Sequence, residues 1–466
     1  MNNQERIKGM QMNQIVFDEE NKLYQFSFLP SMLLKYGKLK TRKTGGGGLN
    51  QPLALFLDGG VEVDKLIRCV QRIVDEEEAL HSYVIEKDDK FFMKVKDNYK
   101  FHLNQIKVQG DTREQRQENA MALASKDAAK FIDIFSEEGS VFDLTLYEID
   151  EDLHLILLIG NHVYFDTSTL MVMLWNIFKY YEDEDYVREF SEPYKNFMLE
   201  EMEFFKSDKA VEQIAYWEKE FEDYEPLRFD LDEKRKVEMS SIVAKFSLDE
   251  ERLNKVAKEN KTSIFNTMML IFHMAIARIH KTNDTLTQYA ISNRANTKYS
   301  NTIGYIARTI DNRFKFEDED TITQLHRKMR KKMGEGFKNY QVCQATFGQV
   351  AHVIAYEQMG TSAPDLVFNG KKTRIIPIDV TRESFDFICI MIMEGHGKEM
   401  EIYMESDTQF VSRDYLIQMR EASLLAEKFL VEHPDRTFSD YMRSDLTLEN
   451  IDMYDFDDND VDFISI

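Results

Sequence analysis

A histidine at the end of an apolar run is the clearest candidate for chemistry in this sequence. Residues 153–159 predict a buried strand that delivers His162 to its end, and Asp166 follows four residues later. An imidazole with an ordinary pKa of about 6.5 can accept a proton from an attacking amine or hydroxyl at neutral pH. Asp166 could fix the turn by pairing with a cation or by accepting backbone N–H bonds. The spacing alone is a weak signal, because a hydrogen-bonded histidine at a strand end explains it at least as well.

Further short motifs follow one another along residues 24–441 and strengthen the signal. They are Glu78-Ala79-Leu80-His81-Ser82, Asn161 to Thr167, Tyr194-Lys195-Asn196-Phe197, Ser292-Asn293-Arg294, Ile303-Gly304-Tyr305-Ile306-Ala307-Arg308-Thr309 and Ser384-Phe385-Asp386. In order and spacing they resemble the E-x-L-R-T, H-H-x-x-x-D-G, Y-x-D-Y, strand-end arginine, I-G-x-F-V-N-T and F-D-L segments of nonribosomal peptide synthetase condensation domains. These domains belong to the chloramphenicol-acetyltransferase-like acyltransferases.

The resemblance implies an α/β fold made of two similar sandwich half-domains, arranged as a V-shaped pseudo-dimer with a central tunnel. His162 would lie near the middle of that tunnel. Donor and acceptor carrier proteins would insert phosphopantetheine arms from opposite faces, so that the chain itself binds no cofactor. The upstream acyl thioester would be attacked by an amine, or less often by a hydroxyl, to form an amide or an ester.

The resemblance also assigns roles to individual positions. His162 would act as the catalytic base or would orient the nucleophile, and Asp166 would be mainly structural. Together with Asp166, four further positions support the motif (Asn161, Thr167, His81, Arg294), and four would line the tunnel or contact substrate (Tyr164, Gly304, Tyr305, Arg308). For Tyr164 a place in the core is the alternative, because an aromatic residue beside a strand end is more often buried there.

Four positions depart from the family pattern. Asn161 stands where the family has its first motif histidine, and Thr167 stands where it has glycine. If that glycine supplies a positive φ or a close approach, threonine would strain the turn or narrow the tunnel. His81 replaces the arginine that normally pairs with the aspartate, so Arg294 is an alternative partner for Asp166. Arg308 replaces an asparagine and could place a cation near the tunnel.

Composition excludes several other classes of function. The chain has 466 residues with 59 Lys plus Arg and 83 Asp plus Glu, a formal net charge of −24. This charge disfavours binding to nucleic acid or to an anionic membrane. Three widely spaced cysteines predict neither a disulfide framework nor a metal knuckle, and they favour a reducing cytoplasm. No signal peptide, membrane span or metal-ligand motif is predicted.

The sequence divides into four predicted regions. Residues 1–185 form an N-terminal lobe with the histidine motif, 186–227 a helical connector, 228–441 a C-terminal lobe, and 442–466 an acidic segment. No adenylation or carrier domain is recognisable, so we expect a freestanding protein that meets its carrier proteins in trans. The resemblance implies that it is a monomer. The mixture of acidic and apolar residues in 445–466 predicts a docking segment for such a partner, although an unimportant disordered segment explains it equally well.

The predicted function is therefore acyl transfer from a carrier-bound thioester in natural-product biosynthesis. The departures at Asn161, Thr167 and His81 leave a second hypothesis open, namely a carrier-recognition module that has lost turnover. A third is a relative that uses coenzyme A to acylate a small soluble acceptor.

Overall fold

The computed structural model describes residues 15–35, 49–227, 241–295, 298–345, 352–357, 366–376, 378, 388–393, 399–407 and 411–445. Two sequence-based predictions therefore lie outside the described residues. These are the motif at 384–386 and nearly all of the acidic segment, from residue 446 onward.

Strands and helices are interspersed along the chain. The strands are β1 (Phe17–Asp18), β2 (Leu23–Gln25), β3 (Asn50–Asp58), β4 (Ser82–Lys87), β5 (Lys90–Val95), β6 (Asn104–Lys107), β7 (Phe142–Asp150), β8 (Leu153–Asn161), β9 (Ser241–Asp249), β10 (Asp284–Ile291), β11 (Arg308–Lys315), β12 (His352–Glu357), β13 (Val367–Phe368), β14 (Lys371–Lys372), β15 (Arg374–Ile376), β16 (Ile388–Met393) and β17 (Glu399–Asp407). The helices are α1 (residues 28–35), α2 (Val63–Glu76), α3 (Arg113–Ala128), α4 (Thr167–Glu182), α5 (Tyr194–Phe204), α6 (Asp208–Phe221), α7 (Glu250–Glu259), α8 (Ile264–His280), α9 (Ile322–Lys338), α10 (Arg413–Glu432) and α11 (Phe438–Arg443).

Spatial contacts divide the chain into two compact units. The first unit comprises Met1–Ser207, Ser292–Ala307 and Gly360–Arg382, and the second comprises Asp208–Ile291, Arg308–Met359 and Glu383–Ile466. The first unit thus contains two segments from the later half of the chain. The predicted connector, 186–227, contributes α5 to the first unit and α6 to the second. The sequence-based domain boundaries at 185, 227 and 441 remain predictions.

The first unit contains a five-stranded sheet with the order β15-β3-β8-β7-β6. All nine residues of the central strand β8 are buried, because helices cover both faces of the sheet. Leu155, Leu157 and Ile159 belong to the cluster that contains α3 alanines. Ile156 and Leu158 point to the opposite cluster, which includes residues of α2 and α4. A strand apolar on both faces is consistent with the uninterrupted hydrophobic run that the sequence shows.

One edge of this sheet is completed by a segment from far along the chain. β15 pairs antiparallel with β3, where Ile375 lies opposite Leu55. Close to this edge, Phe368 of β13 packs against Phe178 and Tyr181 of α4, with ring centroids 5.2 and 4.7 Å apart. Leu366 and Phe368 therefore belong to the core of the first unit, and Ile375 packs against it.

The second unit is built on a six-stranded sheet with the order β11-β10-β12-β16-β17-β9. Two long neighbouring strands of this sheet, β16 and β17, pair antiparallel. α8 packs into the core of this unit, and eleven of its residues, Thr267 to Ala277, are buried. Among the described residues no single helix could cross a membrane, although α7 and α8 together meet the length and composition across a bend of 100°.

Candidate functional site

The turn between β8 and α4 is closed by Asn161. Its carbonyl accepts hydrogen bonds from the backbone N–H groups of Tyr164 and Phe165, at 2.9 and 3.0 Å. Its side-chain oxygen accepts a further bond from the N–H of Val163 at 3.1 Å. Asparagine forms such local side-chain turns readily, so this departure from the family motif has a structural use in the chain. Gly160 is required beside it, since a Cβ there would lie 2.2 Å from the ring of Phe165.

His162 lies at the first position of this turn and is partly buried. Its backbone N–H donates to the carbonyl of Leu49, and its Nδ1 lies 2.7 Å from the carbonyl oxygen of Phe165. A carbonyl oxygen only accepts, so Nδ1 must carry the proton. In the neutral ring Nε2 is then the basic nitrogen. The turn therefore selects the tautomer that a general base at Nε2 requires.

The ring of Tyr305 packs against the imidazole of His162. Its ring centroid lies 4.9 Å from that of His162, with the planes inclined by 46°. Tyr305 is itself 6% exposed and packs within the core of the first unit. The structure thus brings together two of the predicted site residues, one from the β8–α4 turn and one from the segment Ser292–Ala307.

Asp166 follows the turn and caps α4. One carboxylate oxygen accepts from the N–H and the hydroxyl of Thr169, at 2.7 and 2.8 Å. The other accepts from the backbone N–H groups of Ile306 and Ala307, at 3.0 and 2.9 Å. Burial alone would raise the pKa of Asp166, but Arg294 and these donors outweigh it and lower the pKa below its ordinary value. Asp166 is therefore held as a carboxylate.

Arg294 supplies the cation for this carboxylate. Its Nη2 lies 3.1 and 3.2 Å from the two oxygens of Asp166 and also donates to the carbonyl of Gly304. Its Nη1 donates to the carbonyl of Thr302 at 2.7 Å. The alternative pairing that the sequence left open for Arg294 is thus present. One guanidinium joins the β8–α4 turn to the loop that carries Tyr305.

Gly304 occupies a position that tolerates no side chain. Its carbonyl accepts from the Thr169 hydroxyl at 2.6 Å, while a Cβ at Gly304 would lie 2.3 Å from the ring of Tyr194. The motif tyrosine of α5 and the glycine of the later motif are therefore packed directly against each other. This contact explains the glycine as a packing requirement within the first unit.

Two departures from the family pattern, His81 and Thr167, behave differently from what the sequence suggested. His81 ends a short 3₁₀ turn, Glu78–His81, and donates from Nδ1 to the carbonyl of Val74 at 2.7 Å. The pairing of His81 with Asp166 is thus replaced by that of Arg294. Thr167 is the first residue of α4, is exposed, and has no positive φ, so the threonine does not strain the turn.

Tyr164 and Arg308, the two remaining predicted site residues, are both buried. Tyr164 is 1% exposed and packs edge to face against Phe26, with the ring centroids 5.5 Å apart. Its ring is part of the hydrophobic core, and a contact with substrate would require that core to open. Arg308 belongs to the second unit, where it begins β11 opposite Ile291 and is buried.

A second ion pair that the sequence did not indicate anchors the segment Ser292–Ala307. Arg188 binds the carboxylate of Glu77, with 10% and 12% of the two side chains exposed, and also donates to the carbonyl of Asn301. Burial raises the pKa of Glu77 to about 7 against the opposing effect of Arg188. Arg188 and Glu77 are 111 positions apart in the sequence. Nothing in the local sequence around either residue indicates that they pair, so only the structure reveals this ion pair.

Comparison with known proteins identifies the class. Residues 39–347, more than half of the chain, match the family model of the condensation domain. The chain therefore belongs to the condensation domain family, and the resemblance inferred from the short motifs is confirmed.

Sequence relatives in this family are large biosynthetic enzymes. The chain is 22% identical over 305 residues to surfactin synthase subunit 1 of Bacillus subtilis (strain 168), a match that covers 63% of this chain and 8% of that protein. It is 22% identical over 283 residues to gramicidin S synthase 2 of Brevibacillus brevis, covering 59% of this chain and 6% of that protein. The chain thus spans less than a tenth of the length of these relatives.

Solved structures share the fold over almost the whole chain. The X-domain from teicoplanin biosynthesis matches with a TM-score of 0.76 at 13% identity, over 92% of this chain and 98% of that one. The first condensation domain of the calcium-dependent antibiotic synthetase matches with a TM-score of 0.73 at 13% identity, over 90% and 98%. The α/β fold of condensation-domain type that the sequence predicted is confirmed.

Proposed function

We propose that the chain catalyses acyl transfer from a carrier-bound thioester to an amine, or to a hydroxyl, in natural-product biosynthesis. The observation that carries the proposal is the hydrogen bond from Nδ1 of His162 to the carbonyl of Phe165, 2.7 Å long. This bond leaves Nε2 as the basic nitrogen, which is the group that the reaction requires.

His162 can accept the proton that the reaction releases and return it to the leaving group. The amine nitrogen attacks the thioester carbonyl carbon and forms the new C–N bond, while its proton moves to Nε2 of His162. The C–S bond then breaks, and the phosphopantetheine sulfur leaves with a proton. A hydroxyl acceptor gives an ester by the same sequence of steps.

Asp166 acts as a positioning residue in this proposal. It directly follows Phe165, and its carboxylate is fixed by Arg294 and by the N–H groups of Ile306 and Ala307. These bonds hold the turn and so aim the carbonyl of Phe165 at the imidazole. Proximity and orientation contribute strongly to bimolecular reactions of this kind, so the rigidity of the turn favours turnover.

The proposal is tested with two carrier proteins, one loaded with an acyl thioester and the other with an aminoacyl thioester. Mass spectrometry of both carriers follows transfer by the intact chain, by His162→Ala and by His102→Ala. His102 is exposed and serves as the matched control. We expect His162→Ala to lower the rate roughly 100-fold or more, as for removal of a general base, and His102→Ala to leave it unchanged. Undiminished transfer by His162→Ala would contradict a basic role for this residue.

A second candidate is a carrier-recognition module without turnover. It is favoured by Asn161, Thr167 and His81, three of the four departures from the family pattern. The same experiment separates the two candidates, because such a module would bind the loaded carrier in a sedimentation assay and transfer nothing. An added arm with acyl-coenzyme A and a soluble amine tests the third hypothesis, a coenzyme-A-dependent acyltransferase.

A further inference from the structure

Helix α9 carries an unusual concentration of positive charge in a strongly acidic chain. Of its seventeen residues six are Lys or Arg and one, Glu335, is acidic, whereas the whole chain has a net charge of −24. The inner face of the helix is buried through residues such as Leu325, Met329 and Met333. The cationic side chains therefore lie on the sides and on the outer surface of the helix.

The cations of α9 fall into two groups. Two lysines are partly buried and form ion pairs: Lys328 with Asp320, and Lys332 with Glu220. The outward group consists of Arg327, Arg330, Lys331 and Lys338, all exposed. These positions are spaced three, four and seven apart along the helix, which places them on one side. Together with Phe337 they are called the basic face.

Two features of the basic face suit it to a partner that contains apolar residues. Phe337 is 58% exposed and stacks on Tyr340, with the ring centroids 5.6 Å apart. Gly334 lies between the cations, and a Cβ there would meet nothing within 4 Å. By contrast, Gly336 of the same helix is explained by its close approach to Ile310. Gly334 costs helix stability and has no packing reason within the fold, but it leaves room for a segment lying along the helix.

A segment of complementary composition follows the last described residues. Residues 446–466 contain seven acidic residues and no Lys or Arg, and apolar residues alternate with the acidic ones. These residues lie outside the described part of the chain, so what bears on their binding is their sequence and the point where they begin. Such acidic-hydrophobic stretches do not form a core alone, but they can order on a surface of opposite charge.

That starting point is close to α9. Thr437, which caps α11, forms a bridge with Thr321, which caps α9. α11 is six residues long and ends at Arg443; the next residue, Ser444, accepts a hydrogen bond from Arg278 on its carbonyl at 2.8 Å. A six-residue helix is about 9 Å long and α9 about 25 Å, while about twenty residues in extended conformation span roughly 70 Å. The segment can therefore reach every part of the basic face.

We propose that residues 446–466 dock in cis along the basic face of α9, with acidic side chains on Arg327, Arg330, Lys331 and Lys338 and apolar side chains on Phe337. The proposal is independent of the proposed acyl transfer, because no group of the His162 site takes part in it. It gives this segment a binding site on its own chain.

Zero-length carbodiimide cross-linking of the intact chain tests the docking. Lys331 and Lys338 can form amides with the carboxylates of 449–462, and peptide mass mapping of the monomer band identifies these links. We expect them in the intact chain. The double variant Arg327→Glu/Arg330→Glu keeps both reactive lysines but reverses the neighbouring charges, so the yield should fall roughly three- to tenfold.

A matched control makes the same change of net charge elsewhere. Lys87→Glu/Lys100→Glu alters two exposed lysines of the first unit and should leave the yield unchanged. Raising NaCl from about 0.05 to about 0.5 M should lower the yield in the intact chain, because salt screens exposed charges. The proposal is overturned if no link joins α9 to 449–462, or if the charge reversal leaves the yield unchanged. Links found only in a dimer band would assign the face to a second copy of the chain and would also overturn it.

Discussion

Arg294 and Asp166 form a buried ion pair across 128 positions of sequence. Nη2 of Arg294 lies 3.1 Å from one carboxylate oxygen of Asp166, and the two side chains are 7% and 4% exposed. The guanidinium also binds the carbonyls of Thr302 and Gly304. One pair therefore holds together the turn that carries His162 and the loop that carries Tyr305.

Breaking this pair should destabilise the first unit. Arg294→Gln leaves a carboxylate without its cation in a buried place, which costs about 3–5 kcal/mol of unfolding free energy. Asp166→Asn should have a similar effect, and the double variant should cost clearly less than the sum of the two. Urea unfolding followed by fluorescence of Trp175, in a Trp217→Phe background, measures the stability of this unit. Additive effects would show that the two side chains are not coupled.

Gly304→Ala should destabilise the first unit by direct overlap with Tyr194. The new Cβ would lie 2.3 Å from the Tyr194 ring, so the ring or the loop must move, at a cost of about 1–3 kcal/mol. In a Tyr194→Ala background the overlap is absent, and the same glycine change should cost little. The comparison uses the same unfolding assay. An equal cost in both backgrounds would assign the effect to the loop backbone instead.

Thr167→Gly restores the family residue and should not stabilise the protein. Thr167 has ordinary helical backbone geometry at the start of α4, so the glycine relieves no strain and only raises the entropy of the unfolded chain. We expect a loss of up to about 1 kcal/mol. A clear gain in stability would instead reveal strain at this turn.

The second unit should lose stability as the pH falls below neutrality. Burial lowers the pKa of His273 and His352 to about 3 and that of His326 to about 4. Repulsion from neighbouring groups lowers the pKa of the first two further: Lys332 acts on His273, and His280 and His273 act on His352. The unfolded chain binds these protons near pH 6.5 and the folded unit does not. The stabilisation is therefore present above pH 6.5 and is lost as the pH falls toward the folded pKa values.

This pH effect is measurable at the tryptophan of the second unit. Trp217 is fully buried there, and a Trp175→Phe variant isolates its fluorescence. Each histidine contributes up to about 1.4 kcal/mol per pH unit, so urea unfolding at pH 5.5 should give a lower free energy than at pH 7.5 by up to about 4 kcal/mol.

His326→Leu supplies the control for the titration. Within the described residues neither ring nitrogen of His326 has a hydrogen-bond partner, and the side chain is 1% exposed. An apolar replacement of similar volume removes one titrating group without leaving a partner unsatisfied. The difference between the two pH values should shrink by up to about one third. An unchanged difference would exclude His326 from the effect.

The sequence predicts the elements that carry the site better than the contacts within it. The uninterrupted apolar run of residues 153–159 is a local pattern, and β8 lies where that pattern places it. The order of the short motifs was sufficient to identify the family, because the order can be read along the sequence without knowing which residues are in contact.

Contacts between distant segments could not be derived in this way. Periodicity gave no reason to prefer Arg294 over His81 as the partner of Asp166, since either side chain can carry a positive charge. Tyr164 follows His162 by two positions, but its ring turns into the core and packs on Phe26. The strand pairing of Arg374–Ile376 with β3 carries no signal at all in a segment of three residues.

The strand β15 has a consequence for biogenesis. When a ribosome has completed residues 1–207, the sheet of the first unit still has β3 as an open edge, and Asp166 still lacks its cation. Arg294 supplies the cation first, whereas the edge is covered only when 374–376 leave the exit tunnel. An exposed strand edge is a template for pairing with other chains. The nascent protein must therefore remain incompletely folded for most of its synthesis, and fragments cut before residue 376 are expected to aggregate.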